Sequence, residues 1–262
     1  MKYNYLTGKE NIKIRELKKL LTSKKERRQS GLFCIDGDNG ARELLKNGFE
    51  IVSVFITEKA TETHKDLTSE LQKKAKWFYV IDERLCNYIS GTPAPQGIFV
   101  VSKITYKEHS DPQKVLILEN IQDCGNLGTL IRTSVSLGFD QVYAVNCCEM
   151  FSPKTLRSSA FSVFCGGIKE NASITETTEN LKNKGFTVYA AALDSDSKPV
   201  TEIKFNNKAA AMIGNEGNGL TNQAIDCADC KIIIPMKNNC DSLNAAVSGG
   251  ILMWEIIKNA GF

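Results

Sequence analysis

Short apolar runs alternate with stretches of helical period along the whole chain. In the first hundred residues the runs at 32–35, 51–57, 77–81 and 98–101 read as strands. Between them, residues 9–29 predict a helix whose apolar side is Ile12, Leu17, Leu20 and Leu21. Further helices are expected over 41–47, closed by Gly48, over 67–75, and over 82–90 behind an Asp82 cap. A polar linker at 106–113 separates this pattern from a second one. There the strands are 115–118, 141–145, 186–193, 209–213 and 232–234, and the first of them, Val115-Leu116-Ile117-Leu118, is apolar throughout, as a central parallel strand must be. Helices are expected at 127–137, from Ser152-Pro153 towards Phe164, at 176–184, at 221–228 and from Ala245 onward. Strand–helix alternation of this kind predicts two α/β units. A small one spans 1–105, and a mostly parallel sheet with helices on both faces spans 113–262.

Charge sharpens the division. Residues 1–110 carry 20 Lys+Arg against 14 Asp+Glu, a net +6, and the remainder nets −3. A basic first unit points towards an anionic partner, and Lys24, Lys25, Arg27 and Arg28 are its densest cluster. No apolar run approaches the ~18 residues of a membrane span, and the N-terminus has no signal-peptide h-region, so a cytoplasmic protein is expected. Nine scattered cysteines, an odd number, fit reduced thiols.

Three loops that follow strands of the second unit are rich in groups with no folding role. They are Asn120 to Arg132, then Gly214-Asn215-Glu216-Gly217-Asn218-Gly219, then Ser242-Leu243-Asn244. Ligands of open α/β sheets sit at such loops. The glycines read G-x-x-G-x-G, which is not a dinucleotide fingerprint, and Glu216 would repel a phosphate. No Walker sequence is present. Cys227-x-x-Cys230 lacks a second pair and the histidines, His64 and His109, lie outside the loops, so neither a metal site nor a Ser-His-Asp triad is expected. Any chemistry has to come from Arg, Glu, Ser, Asn and backbone amides.

Taken together the three loops resemble motifs 1, 2 and 3 of the SpoU (TrmH-type) family of RNA 2′-O-ribose methyltransferases, within the SPOUT superfamily. The matching segments are Asn126-Leu127-Gly128-Thr129-Leu130-Ile131-Arg132-Thr133, Ile213 through Leu220, and Ile234-Pro235-Met236 through Asn244. The stretch KKERRQSGLFCIDG and Pro95-Gln96-Gly97 resemble the family's substrate-binding domain. The family usually has proline where Cys124 stands, Glu-Gly where Asp36-Gly37 stands, and often glycine where Phe161 stands. The resemblance implies a trefoil knot in the second unit and S-adenosylmethionine bound at Gly214, Ile234 and Leu243, with Leu193 and Met236 as neighbours. It implies catalytic roles for Arg132, Asn126, Glu216, Ser242 and Asn244. It also implies a structured RNA substrate, ribosomal RNA favoured over transfer RNA, with an RNA-binding protein on the same fold that has lost turnover as the alternative, and a homodimer, for which the last helix with Trp254, Ile256 and Ile257 offers an apolar surface.

Overall fold

The computed structural model of the 262-residue chain describes residues 4–170, 172–237 and 242–260, and the polar loop expected over 237–241 lies outside them from residue 238 on. Two compact units are present, one formed by residues up to 105 together with Phe151–Leu156, the other by Tyr106–Met150 and residues from Arg157 on. No helix among the described residues is long and apolar enough to cross a membrane.

The first unit holds strands β1 (Asn4–Leu6), β2 (Leu32–Asp36), β3 (Ile51–Thr57), β4 (Trp77–Ile81) and β5 (Ile98–Lys103) in a mixed sheet of order β1-β4-β3-β5-β2. Its helices are α1 (Ile12–Thr22), α2 (Lys24–Ser30), α3 (Asp38–Lys46), α4 (Glu58–Thr63), α5 (Lys65–Lys74) and α6 (Glu83–Ile89). The single helix expected over 9–29 is two. Ser23 is extended, its hydroxyl accepts from Glu26 N at 3.3 Å, and it caps α2. The Ser-x-x-Glu spacing of a capping box carried that signal in the sequence. Ile14, Leu17 and Leu20 of α1 pack with Leu85, Cys86 and Ile89 of α6 over one face of the sheet. Phe151 closes the unit's core, its ring 4.8 Å from that of Phe33.

The second unit contains β6 (Lys114–Glu119), α7 (Cys124–Ser136), β7 (Gln141–Val145), α8 (Pro153–Ser158, begun in the first unit), β8 (Gly167–Glu170), α9 (Ile174–Asn183), β9 (Thr187–Ala191), β10 (Lys198–Pro199), β11 (Ala209–Ile213), α10 (Asn222–Asp226), β12 (Cys230–Ile233) and α11 (Ala245–Ala260). The sheet order is β10-β12-β9-β11-β6-β7-β8 with every pairing parallel. All six residues of β6 are buried. Its odd-numbered apolar residues, Val115 and Ile117, join Val188, Ala190, Ala210 and Met212 under α9 and α10, through Ile174, Leu181 and Ala224. The alternate residues face the other way, where α11 packs on α7 and β11. Gly249 sits there so close to Leu130 that a side chain would displace it.

One expected helix is interrupted. The run from Ser152 to Phe164 ends as α8 at Ser158, because Ala160 (φ 46°) and Phe161 (φ 64°) are both left-handed, and only a 3-10 turn follows. Phe161 thus takes a conformation that suits glycine, the residue the family often carries there, and that disfavours a bulky side chain. The break is tertiary in origin. Gly128 of α7 lies against Ser158 and the Ser159 amide, and Ser158 Oγ donates to the Cys124 carbonyl at 2.8 Å. Burial pushes the Cys86 and Cys147 thiols up to about 12 and raises that of Cys34 as well.

Candidate active site

The carboxyl ends of β6, β11 and β12 carry the three loops. Asp123 caps α7 through its carboxylate, which accepts from Asn126 N at 2.9 Å. Asn126 is therefore a residue of the first helical turn, not the cap, and its side-chain amide is free for other work. Asn244 is the cap of α11, its Oδ1 accepting from Ala246 N at 2.9 Å and Val247 N at 3.3 Å. Its Nδ2 then points outward and donates to Asn126 Oδ1 at 3.0 Å. Asn126 Nδ2 donates in turn to Glu216 Oε1 at 2.7 Å. The other Glu216 oxygen accepts from Asn215 Nδ2 at 3.3 Å, and Asn215 Nδ2 also reaches the Asn120 carbonyl at 2.9 Å. Each amide orientation is forced by its neighbour. An ionised carboxylate only accepts, so Asn126 turns its NH₂ to Glu216 and its carbonyl to Asn244. Three loops distant in sequence are thereby joined in one directional relay.

Beside the relay is a cavity of about 530 Å³, within the ~300–1,000 Å³ usual for small-molecule sites. Its walls include all five expected cofactor residues, Leu193, Gly214, Ile234, Met236 and Leu243, together with Glu216 and Ser242. Ile213, Leu220, Ile232 and Leu252 make much of the wall apolar. Glu216 is the one ionisable group among the described lining residues. Such a site repels phosphate and suits an adenosyl group bearing a cationic sulfonium, so S-adenosylmethionine fits the residues present. Among the described residues no group of three or more His, Cys, Asp or Glu could hold a metal ion.

Arg132 is exposed on α7, and neither the relay nor the cavity includes it. Six residues after Asn126, it lies about 9 Å further along the helix and about a third of a turn away. Among the basic residues expected to meet RNA, Lys24, Lys25 and Arg28 are exposed. Arg27 is not. It is 4% exposed, and its guanidinium donates to the Leu20 carbonyl at 2.6 Å, which ties α2 to α1. Arg27 is a structural residue and leaves the RNA-contact set.

Sequence reading missed Glu119. This buried carboxylate at the end of β6 accepts from Thr221 N and Thr221 Oγ, each at 2.8 Å. Asn120, next in the chain and left-handed (φ 57°), takes Asn215 on its carbonyl. The end of β6 thus grips the 214–221 loop at both ends. An acidic residue closing an otherwise apolar central strand was the available signal. Replacing Glu119 by Ala takes the charged acceptor away from Thr221 N and Thr221 Oγ and should cost about 1.5–3 kcal/mol, read as a lower denaturant midpoint, with weaker S-adenosylmethionine binding. Glu119→Gln, which keeps an acceptor for that N–H, should lose much less of both.

A parallel α/β sheet with an apolar, nucleoside-sized cavity at its strand ends, one carboxylate in it and no phosphate loop, defines an enzyme that binds a cationic nucleoside cofactor. Residues 113–254 match the SpoU rRNA Methylase family, and the chain belongs to it. Residues 11–100 match the MRM3-like substrate binding domain. The chain is 32% identical over 247 residues to the 23S rRNA (guanosine(2553)-2′-O)-methyltransferase RlmP of Bacillus subtilis, covering 94% of this chain and 96% of that protein. It is 30% identical over 150 residues to the tRNA (guanosine(18)-2′-O)-methyltransferase of Thermus thermophilus, covering 55% and 74%. The AdoMet-bound rRNA methyltransferase from Sinorhizobium meliloti superposes with a TM-score of 0.87 at 23% identity over 98% of both chains. At that identity the likeness is one of fold.

Proposed function

We propose that this protein transfers a methyl group from S-adenosylmethionine to a ribose 2′-hydroxyl of ribosomal RNA. The observation that carries this is the Asn244–Asn126–Glu216 relay, which joins all three family motifs at the edge of the adenosyl-sized cavity. Similarity to RlmP over 94% of the chain favours ribosomal over transfer RNA, since the transfer-RNA enzyme aligns to only 55% of it. The 2′-hydroxyl is also what distinguishes RNA from DNA at such a site. A cytoplasmic location, where ribosomal RNA is made and modified, goes with this reading.

S-adenosylmethionine supplies an electrophilic methyl on sulfur when bound. The backbone of Gly214, Ile234 and Leu243 would hold its adenine, with Leu193 and Met236 beside it. Glu216 would lie near the positive charge, and Asn126 would hold Glu216 in place. Ser242, exposed at the cavity rim, and Asn244 would orient the ribose. The hydroxyl must lose its proton as its oxygen attacks. The guanidinium of Arg132 offers hydrogen-bond donors and no acceptor. It would grip the phosphate next to the ribose and polarise the hydroxyl, and the proton would leave to water.

Arg132 would act in a homodimer, contributed by one protomer to the relay of its partner. Its separation from the relay in one chain supports this, as do Val247 and Trp254, 51% and 47% exposed on α11, whereas Ile256 and Ile257, expected at the same surface, are buried within the protomer. The trefoil knot belongs to the same reading. Its support is the match of residues 113–254 to the SpoU rRNA Methylase family, the resemblance that implies it.

The direct test is transfer of labelled methyl to unmodified ribosomal RNA, with blocked 2′-hydroxyls mapped afterwards. One new 2′-O-methyl nucleotide is expected. Absence of incorporation into an RNA that the protein binds would defeat the enzymatic reading.

A further inference from the structure

Two ammonium groups converge on one aromatic ring in the first unit. Lys18 Nζ lies 3.4 Å from the centroid of Tyr88, and Lys9 Nζ lies 4.7 Å from it. Lys9 precedes α1, Lys18 belongs to α1, and Tyr88 belongs to α6. The packing of α1 on α6 through Ile14, Leu17, Leu85 and Ile89 fixes their meeting. The ammonium groups are therefore no more than about 8 Å apart, a Debye length at physiological salt, so water only partly screens their repulsion.

Neither has a carboxylate partner among the described residues, while their neighbours do. Lys13 is held by Glu16 at 3.0 Å and Lys19 by Glu26 at 3.8 Å. Arg84, exposed and without an ion pair among the described residues, lies four positions before Tyr88 on α6 and so shares its side of the helix. An aromatic face attracts a cation without neutralising it. The Tyr88 ring therefore gathers positive charge and leaves it available, where a carboxylate would have cancelled it. Like charges held together with nothing opposite them are an arrangement that an anion completes.

We propose that Lys9, Lys18 and Arg84, assembled around Tyr88, form the patch by which the first unit grips the ribose-phosphate backbone of the RNA substrate. The inference rests on the reading of the protein as an RNA methyltransferase. It moves the main RNA contact from the basic run on α2, where Arg27 is buried and Glu26 offsets one of the three remaining charges, to the junction of α1 and α6.

The test measures binding of the full-length protein to an unmodified 23S ribosomal RNA transcript across a salt series. Each phosphate contact contributes about 0.7–0.9 to the slope of log affinity against log salt. The double variant Lys9→Gln/Lys18→Gln should lower that slope by about 1.4–1.8, and adding Arg84→Gln should lower it again by about half as much. Tyr88→Leu should weaken binding roughly three-fold, while Tyr88→Phe, which keeps the ring, should not. S-adenosylmethionine affinity should be unchanged in all of them, which reports an intact fold. An unchanged slope in the double variant, or a larger fall in Lys24→Gln/Lys25→Gln/Arg28→Gln, overturns the patch. If instead the wild type binds the transcript but methylates no RNA, the enzymatic reading fails and the patch stands on its slope alone.

Discussion

Arg132→Ala is expected to lower the rate of methyl transfer by roughly 10²–10³-fold, the usual cost of removing one preorganised charge-stabilising donor. The affinity for S-adenosylmethionine is expected to stay where it was. Arg132 is exposed on α7 and takes no part in lining the cavity, so its loss removes neither cofactor contacts nor packing. Isothermal titration with S-adenosylmethionine and single-turnover transfer to RNA separate the two effects. Retained transfer would remove Arg132 from the reaction, and lost cofactor binding would make it a structural residue. The dimer adds a sharper form of the same experiment. Mixing Arg132→Ala protomers with Glu216→Ala protomers should restore activity if each site combines the arginine of one chain with the relay of the other, because half the sites of a mixed dimer are then intact. Arginine acting within its own chain gives no restoration.

Gly214→Ala is expected to be as damaging by a different route. A Cβ at this position would lie inside contact distance of the backbone of Gly219 and Leu220, and backbone cannot swing aside as a side-chain tip can. Gly214 opens a loop that the Asn215–Gly219 bridge closes upon itself and that Glu119 and Asn120 anchor at either end. Moving it would displace Glu216 from Asn126 and reshape the cavity wall. Overpacking of this kind costs about 1–3 kcal/mol, and the displaced wall should reduce S-adenosylmethionine binding beyond detection by titration. Gly217→Ala is the internal control. Its nearest neighbour would be Asn215 Oδ1 at 3.5 Å, ordinary contact, so it should bind cofactor nearly as the wild type does. Equal behaviour of the two variants would deny the close approach at Gly214 any role.

Much of the fold was legible in the sequence because its signals are local. The unbroken apolar run of β6 announces a central parallel strand, and Gly48, Gly138 and Gly185 mark the ends of helices in the left-handed conformation that glycine tolerates. The candidate residues were legible for a similar reason, since asparagines, a glutamate and glycines crowded after strands have little to do in folding. What sequence alone could not decide is which of them touch. Asn126 is 118 residues from Asn244 and 90 from Glu216. A hydrogen bond across such a separation exists only once the parallel sheet brings the strand ends together, and periodicity says nothing about that register. The same limit hid Glu119, whose partner Thr221 lies 102 residues away. It also put Arg27 among the RNA contacts. A basic run reads as uniformly solvated until helix packing turns one of its members inward, and only the angle between α1 and α2, set at Ser23, decided that the member was Arg27.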